Sequence, residues 1–421
     1  NEPGVFTVFP GYEWSGNTAV GGDHNVFYGG AGRPIYRCSH ALLEDRSDLD
    51  SDANTLTDLY GRLRDEDAVV YAHVGGRYAN IHYDHDPLIE TAVEMHSAWG
   101  TFEWILTDGF ALRRRVGVVC NSDGHKGRPG ASYPGASRFG AYGGLTCFLT
   151  DSNDRASIME AQRRRHHYGT TGCRMHLDVT CGFTSDATIY ARNPDAMPDC
   201  ETWAAREAIM GDIVRVNDEE VSVSIDVSAH AGILSVELRD GEQILETLRP
   251  YDESDLGNRL RIRWAGAQYR GRGRDVVWQG LASFDKATIQ RIDAVNAWNP
   301  ETVMEQRGSR SVIWRGATTG NFMACDAWLD EDRAGGLEVS TNHAKVSLSL
   351  SDIGLEPQVT EASGLGKQIS VQRLPSGPLK RELSIRKTVK VRERGDTPIW
   401  VCVTTEDGFQ AWSSPIYLFR D

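Results

Sequence analysis

The chain changes its hydrophobic rhythm close to residue 178. Ahead of that point, short apolar runs alternate with segments in which apolar positions recur every three or four residues. VFTVFPGYE, AVVYAHVGG, TAVEMHS, RVGVVCNSDGH and GGLTCFL read as buried strands, and TLTDLYGRLRDE, TFEWILTDGFALRRR and SIMEAQRRRHHY carry helical spacing. Strands alternating with helices predict an α/β domain built on parallel strands. Further on, apolar and polar residues alternate one by one in EEVSVSIDVSAH, ILSVELRDG, NRLRIRWAG, RSVIWRG, AKVSLSLS, KQISVQRL and TPIWVCVTTEDG. Turn residues separate these runs, which predicts an all-β sandwich. One segment near the junction, ETWAAREAIM, reads as a helix. The expected division is an α/β domain over residues 1–178 and a β-rich, sandwich-like domain over 179–421.

Most of the predicted strands of the first region run into an ionisable residue. Glu13 ends VFTVFPGYE, His24 sits in GGDHNVFY, His73 ends AVVYAH, Glu94 ends TAVE, and Asp123 and His125 follow GVVCNS. Parallel α/β folds gather their active groups at the carboxyl ends of strands, so residues far apart in sequence would meet on one rim. Taken singly, each of these residues is more often a hydrogen-bonded strand terminus. Taken together, carboxylates and imidazoles in this number are the ligand types of a zinc, manganese or iron site. The pair in NSDGH has a local reason to act together. In extended backbone, residues i and i+2 point the same way, so Asp123 and His125 would present an oxygen and a nitrogen to one point.

GYEWSG, GGDHNVFY, AHVGG, VEMHSAWGTFEW and NSDGHKGRPGASYPG resemble successive motifs of the polymerase and histidinol phosphatase (PHP) superfamily. The similarity is greatest to its branch with a β-rich C-terminal extension, which YGTTGCR (Tyr168 to Arg174) and AWSSPIYLF (Ala411 to Phe419) also fit. The resemblance implies a distorted (β/α)7 barrel with two or three divalent ions at the strand ends, and phosphoester hydrolysis as the reaction. Carried over motif by motif, Glu13 would bridge two metals, His24 and His73 would each hold one, and Asp123 with His125 would close the set. Glu94 matches a recurrent glutamate whose expected role is to orient a histidine ligand. PHP domains begin with an HxH strand ahead of the GxE motif, and none precedes Glu13 here. The barrel is therefore expected to be incomplete, with its first strands missing or supplied by a separate chain that carries the HxH.

Composition narrows the partners. A net charge of −14 argues against general binding to nucleic acid or anionic membranes, which need a basic field. It leaves room for a small anionic substrate, because Arg77, Lys126 and Arg128 neighbour the proposed ligands and arginine clamps oxyanions in bidentate fashion. No apolar run approaches the roughly 20 residues that span a bilayer. No basic leader with an apolar core is visible. The eight cysteines are scattered without a CxxC pair, a pattern of neither zinc ribbons nor disulfide scaffolds, and suggest reduced thiols and a cytoplasmic location. There is no GxSxG elbow, P-loop or Rossmann fingerprint.

Other candidates have plainer explanations. His82 and His85 fall on a loop, and His166 and His167 follow RRR at a helix end where cations complement the dipole. Thr170 and Thr171 fit a capped turn. Trp264, Trp278, Trp314 and Trp328 would be sugar platforms or, more commonly, sandwich core. The leading expectation is a metal-dependent phosphoesterase. The alternatives are a metal-dependent hydrolase of a non-phosphate ester or amide, and a non-catalytic binding protein on a relic barrel.

Overall fold

The computed structural model describes residues 1–124, 141–299, 301–330 and 333–420. Strands β1 (Gly11–Ser15), β2 (Asp23–Tyr28), β3 (Ala68–Ala72), β4 (Glu90–Ser97), β5 (Gly100–Thr101) and β6 (Gly117–Cys120) form one six-stranded sheet, with helices α1 (Leu56–Leu63) and α2 (Glu103–Ala111) in its connections. Only part of this sheet is parallel. β4 pairs in parallel with β3 on one side and β6 on the other, whereas β2 pairs antiparallel with both β1 and β3. The link between β1 and β2 is too short for a parallel crossover, which needs a dozen residues or more.

The expected (β/α)7 barrel is not what the chain forms. Among the described residues strands make up 47% and helix 9%, with three α-helices, far fewer than a (β/α)7 barrel requires. The strand and helix patterns of the first region do mark real elements. What local periodicity does not carry is the direction in which neighbouring strands pair.

Helix α1 starts with a capping box in which the Thr55 hydroxyl accepts from the Asp58 N–H and the Asp58 carboxylate accepts from the Thr55 N–H. It buries Leu56, Leu59, Tyr60 and Leu63 against Trp14, Val26 and Val70, each leucine contributing roughly 1.5–3 kcal/mol. Helix α2 covers the parallel strands with Ile105 and Leu106, in one core with Val93, Met95, Val118, Trp400 and Trp412. The end of the chain thus packs onto the first sheet.

β7 (Leu145–Phe148) and β8 (His167–Thr170), separated by helix α3 (Arg155–Arg163), belong to a second, 12-stranded sheet, where β8 pairs with Gln410–Ser413. β9 (His176–Tyr190) runs without interruption across residue 178. The segment read as a helix, ETWAAREAIM, is instead strand β10 (Thr202–Ile209), antiparallel to β9 with a bulge between Ala205 and Glu207. Its alanines and glutamates favour helix, but a long partner strand offers a full ladder of hydrogen bonds, and tertiary pairing overrides propensity.

Two five-stranded sheets built from residues 259–374 pack face to face around one core, so the sandwich expectation for the second region fits in part. Along Arg259–Ala267 the alternation sends Leu260, Ile262 and Trp264 inward. Trp264 stacks on Trp314 with ring centres 4.6 Å apart, and Trp278 is fully buried beside them. Trp328 lies outside, beneath Arg259 and Arg291. Among the described residues no helix is long and apolar enough to cross a membrane.

Candidate metal centre

The carboxyl ends of β3, β4 and β6 lie side by side, and the site is built on them. His73 follows β3 directly, Glu94 lies within β4, and Asn121 and Asp123 follow β6. One ligand atom each from Glu13, His73 and Asp123 falls within 4.8 Å of the others. His73 is buried, Asp123 half-buried and Glu13 exposed on the edge strand.

His73 is held from both sides. Its Nδ1 meets Glu94 Oε1 at 2.8 Å, and Glu94 Oε2 accepts from Asn121 Nδ2 at 3.0 Å. Glu94 is completely buried, so its carboxylate fixes the ring's orientation and leaves Nε2 to face the site. Nε2 stands 3.3 Å from Asp123 Oδ2 and has no hydrogen-bond partner. Donors that share a tetrahedral ion at about 2.0–2.1 Å sit roughly 3.3 Å apart, which matches. Gly75 keeps this nitrogen approachable, since a Cβ there would come within 2.8 Å of it. Burial alone would push the His73 ring toward neutrality, but Glu94 and Asp123 hold it protonated, well above the usual histidine range. A cation among two carboxylates and this ring would take the place of that proton. The residues fit a divalent ion.

Asp123 does not lie in extended backbone. Its φ is 43°, in the left-handed region that aspartate tolerates at a cost, and its carbonyl accepts from Trp99 Nε1 at 3.2 Å. The i, i+2 geometry therefore does not apply at this residue. His125, Lys126 and Arg128 lie outside the described residues.

His24 is not brought to this cluster. The register of β1 and β2 sets Glu13 opposite Asn25 and Trp14 opposite His24. Residues directly opposite share a face, and neighbours in a strand alternate, so His24 projects from the other side of the sheet. There its Nε2 lies 3.3 Å from Glu90 Oε2, and His85 Nδ1 reaches Glu90 Oε1 at 2.9 Å. Tyr60 donates to the same carboxylate. Burial pushes the Glu90 carboxyl up, yet His85 and His24 hold it well below the usual range.

Arg77 is committed to a structural contact. Its backbone N–H and Nε donate to the two oxygens of the buried Asp23 at 2.9 and 3.0 Å, which shapes the loop after His73. The remaining histidines have ordinary roles. His96 lies between Thr101 Oγ1 (2.8 Å) and the Tyr142 carbonyl (2.6 Å), His166 meets Asp212 at 2.8 Å, and His167 Nδ1 donates to the Val118 carbonyl at 2.8 Å. His82 is exposed, 3.5 Å from Asp108. Thr170 Oγ1 donates to the Cys173 carbonyl at 2.7 Å, closing a turn.

The sandwich makes a contribution that the hydrophobic pattern does not reveal. The loop after the strand Arg259–Ala267 reads QYRGRGRD, and its arginines reach the first sheet. Arg274 donates to the Gly75 carbonyl, Arg272 Nε to the Gly76 carbonyl at 3.2 Å, and Arg270 clamps Asp108 in two hydrogen bonds of 2.6 and 3.0 Å. Arg274 is buried, and the charges of Asp123 and Asp23 oppose the lowering of its pKa by that burial. Three arginines spaced by glycines in a turn were the available signal. Only the tertiary fold shows where they land.

A family model described as "Protein of unknown function (DUF3604)" matches residues 117–231, a span that begins at β6, includes Asp123 and runs into the 12-stranded sheet. No curated protein matches the chain.

Proposed function

We propose that this protein is a divalent-metal-dependent hydrolase with a phosphoester as its substrate class. The observation that carries the proposal is the meeting of one imidazole nitrogen and two carboxylates, from three separated segments, around a histidine whose far nitrogen is fixed by a buried glutamate. When bound, a divalent ion of the zinc, manganese or iron type supplies Lewis acidity toward water and toward the substrate oxygen.

The chain's own groups do the rest. Glu94 sets the orientation of His73, Trp99 anchors the backbone of Asp123, and Glu13 offers its carboxylate from the open edge. Arg274 and Arg272 bring positive charge to the loop after His73, which suits an anionic substrate in a protein of net charge −14. The likeness of the surrounding motifs to those of PHP proteins favours phosphoesters over carboxylic esters or amides. A second ion would need donors beyond these three, of the kind an HxH segment supplies.

The test is a panel of chromogenic phosphate monoester, phosphodiester and carboxylic ester substrates, assayed with and without EDTA on the chain and on Asp123→Ala. Phosphoester turnover that EDTA and the substitution both abolish is expected. Turnover that survives either one would overturn the metal assignment, and turnover confined to the carboxylic ester would move the activity to another bond.

A further inference from the structure

A second cavity lies away from Glu13, His73 and Asp123. The outward face of the strand Arg259–Ala267 looks across to the strands Ile233–Asp240 and Thr397–Thr405 of the 12-stranded sheet, leaving a cavity of about 520 Å³ between them. Alternation along RLRIRW places Arg261 and Arg263 on this face while Leu260, Ile262 and Trp264 fill the sandwich core.

Not every guanidinium of the cavity has its hydrogen bonds satisfied. Arg239 takes both Glu237 and Glu103, and Arg249 takes Glu356 in two hydrogen bonds of 2.7 and 3.0 Å. Arg261 spends Nε and Nη2 on the buried Asp326 at 2.7 and 2.8 Å, while its Nη1 is buried without a partner. Arg263 has no carboxylate and no hydrogen-bonded side-chain partner among the described residues. Its guanidinium lies 4.3 Å from the centre of the Phe322 ring, and its Nε is sealed from solvent and unsatisfied. Each glutamate of the cavity is bonded to another arginine, so Arg263 has only the more distant charges of Glu237 and Glu103 for balance. A guanidinium nitrogen sealed from solvent without an acceptor is costly, and a small anion in the cavity would supply one to Arg263 Nε and Arg261 Nη1.

We propose that this cavity binds a small hydroxylated oxyanion, a sugar acid or sugar phosphate, with its charged group on Arg263 and Arg261 Nη1. Neutral hydrogen-bonding groups cover the same walls. The register sets Ser370 beside Arg263 and Gln372 beside Arg261, and Thr404 lines the opposite sheet. Such donors and acceptors are suited to hydroxyls, and the fork of a guanidinium is suited to carboxylate or phosphate. The site is independent of the metal reading, since none of Glu13, His73 and Asp123 lines it.

Isothermal titration of the full chain with D-glucuronate, D-glucose 6-phosphate and D-glucose tests this. At least one of the two anions binds while glucose does not, and which anion binds distinguishes carboxylate from phosphate. Arg263→Gln weakens that binding roughly tenfold or more, as expected for loss of a charge-assisted contact, and Arg263→Lys retains part of it. Ser370→Phe, which fills the cavity from the wall and leaves every charged residue in place, abolishes it and covers the case in which Arg263→Gln does not fold. Failure of both anions to bind, equal binding of glucose, or unchanged binding in Arg263→Gln or Ser370→Phe would overturn the proposal.

Discussion

His73 Nε2 lies 3.3 Å from Asp123 Oδ2, although the two residues follow strands β3 and β6, which β4 separates. The gap is bridged from below. Glu94, on the middle strand, takes the far nitrogen of His73 and is itself tied to Asn121 on the way to Asp123. The pair is thus set by three adjacent parallel strand ends and a buried carboxylate between them.

Glu94→Gln removes the charge that orients His73 while keeping the side chain's shape. Metal affinity should fall by roughly 10–100-fold, the usual consequence of losing such a partner. Titration with manganese or zinc would show it, and circular dichroism should show an intact fold. Unchanged affinity would mean that Glu94 does not support the site.

Gly75→Ala tests access to the ligand nitrogen. The new methyl would stand 2.8 Å from His73 Nε2 and 3.3 Å from Asp23 Oδ2, so one of them must give way. Gly75 has no positive φ to strain the backbone. The expected result is loss of metal binding with little change in the urea midpoint.

His24→Gln separates the two faces of the sheet. Because His24 contacts Glu90 and not the Glu13, His73 and Asp123 cluster, the variant should keep its metal. Stability should drop by about 1–3 kcal/mol, the cost of leaving a buried carboxylate short of a partner. Urea denaturation and elemental analysis of one preparation would check both. Lost metal with unchanged stability would place His24 in the site after all.

Acid should weaken the fold in a defined window. Burial lowers His96 to about 4 and His167 to about 3, from an ordinary 6.5. Above pH 6.5 both rings are neutral whether the chain is folded or not, and their contribution is complete. As the pH falls from 6.5 toward 4 and 3, the unfolded chain takes up protons that the folded chain refuses. Stability is therefore lost at on the order of 1.4 kcal/mol per pH unit for each ring. Denaturant midpoints measured across this range would reveal the slope, and His96→Gln should flatten its upper part.

Much of the local structure was legible in the chain. AVVYAH, TAVEMHS and GVVCNSD mark β3, β4 and β6, and the helical spacing of TLTDLYGRL marks α1. The failures have physical causes. Strand periodicity shows which residues are buried but not which way a neighbour runs, so it does not reveal the antiparallel pairing of β1 and β2, which the incomplete (β/α)7 barrel implied by the resemblance does not contain. Register decides the face, and a shift of one position separates His24 from Glu13. TWAAREAI has the composition of a helix, and only its pairing with β9 makes it a strand. Arg274 and Arg263 acquire their meaning from surfaces that meet far from their own segments.

The central claim is that Glu13, His73 and Asp123 together hold a divalent ion, and elemental analysis tests it most directly. The chain and its His73→Ala variant would be incubated with manganese or zinc, desalted and assayed for metal, with circular dichroism as the check on folding. The account predicts stoichiometric metal in the unaltered chain and loss of it in the folded variant. Equal metal in both, or none in the unaltered chain, would contradict it.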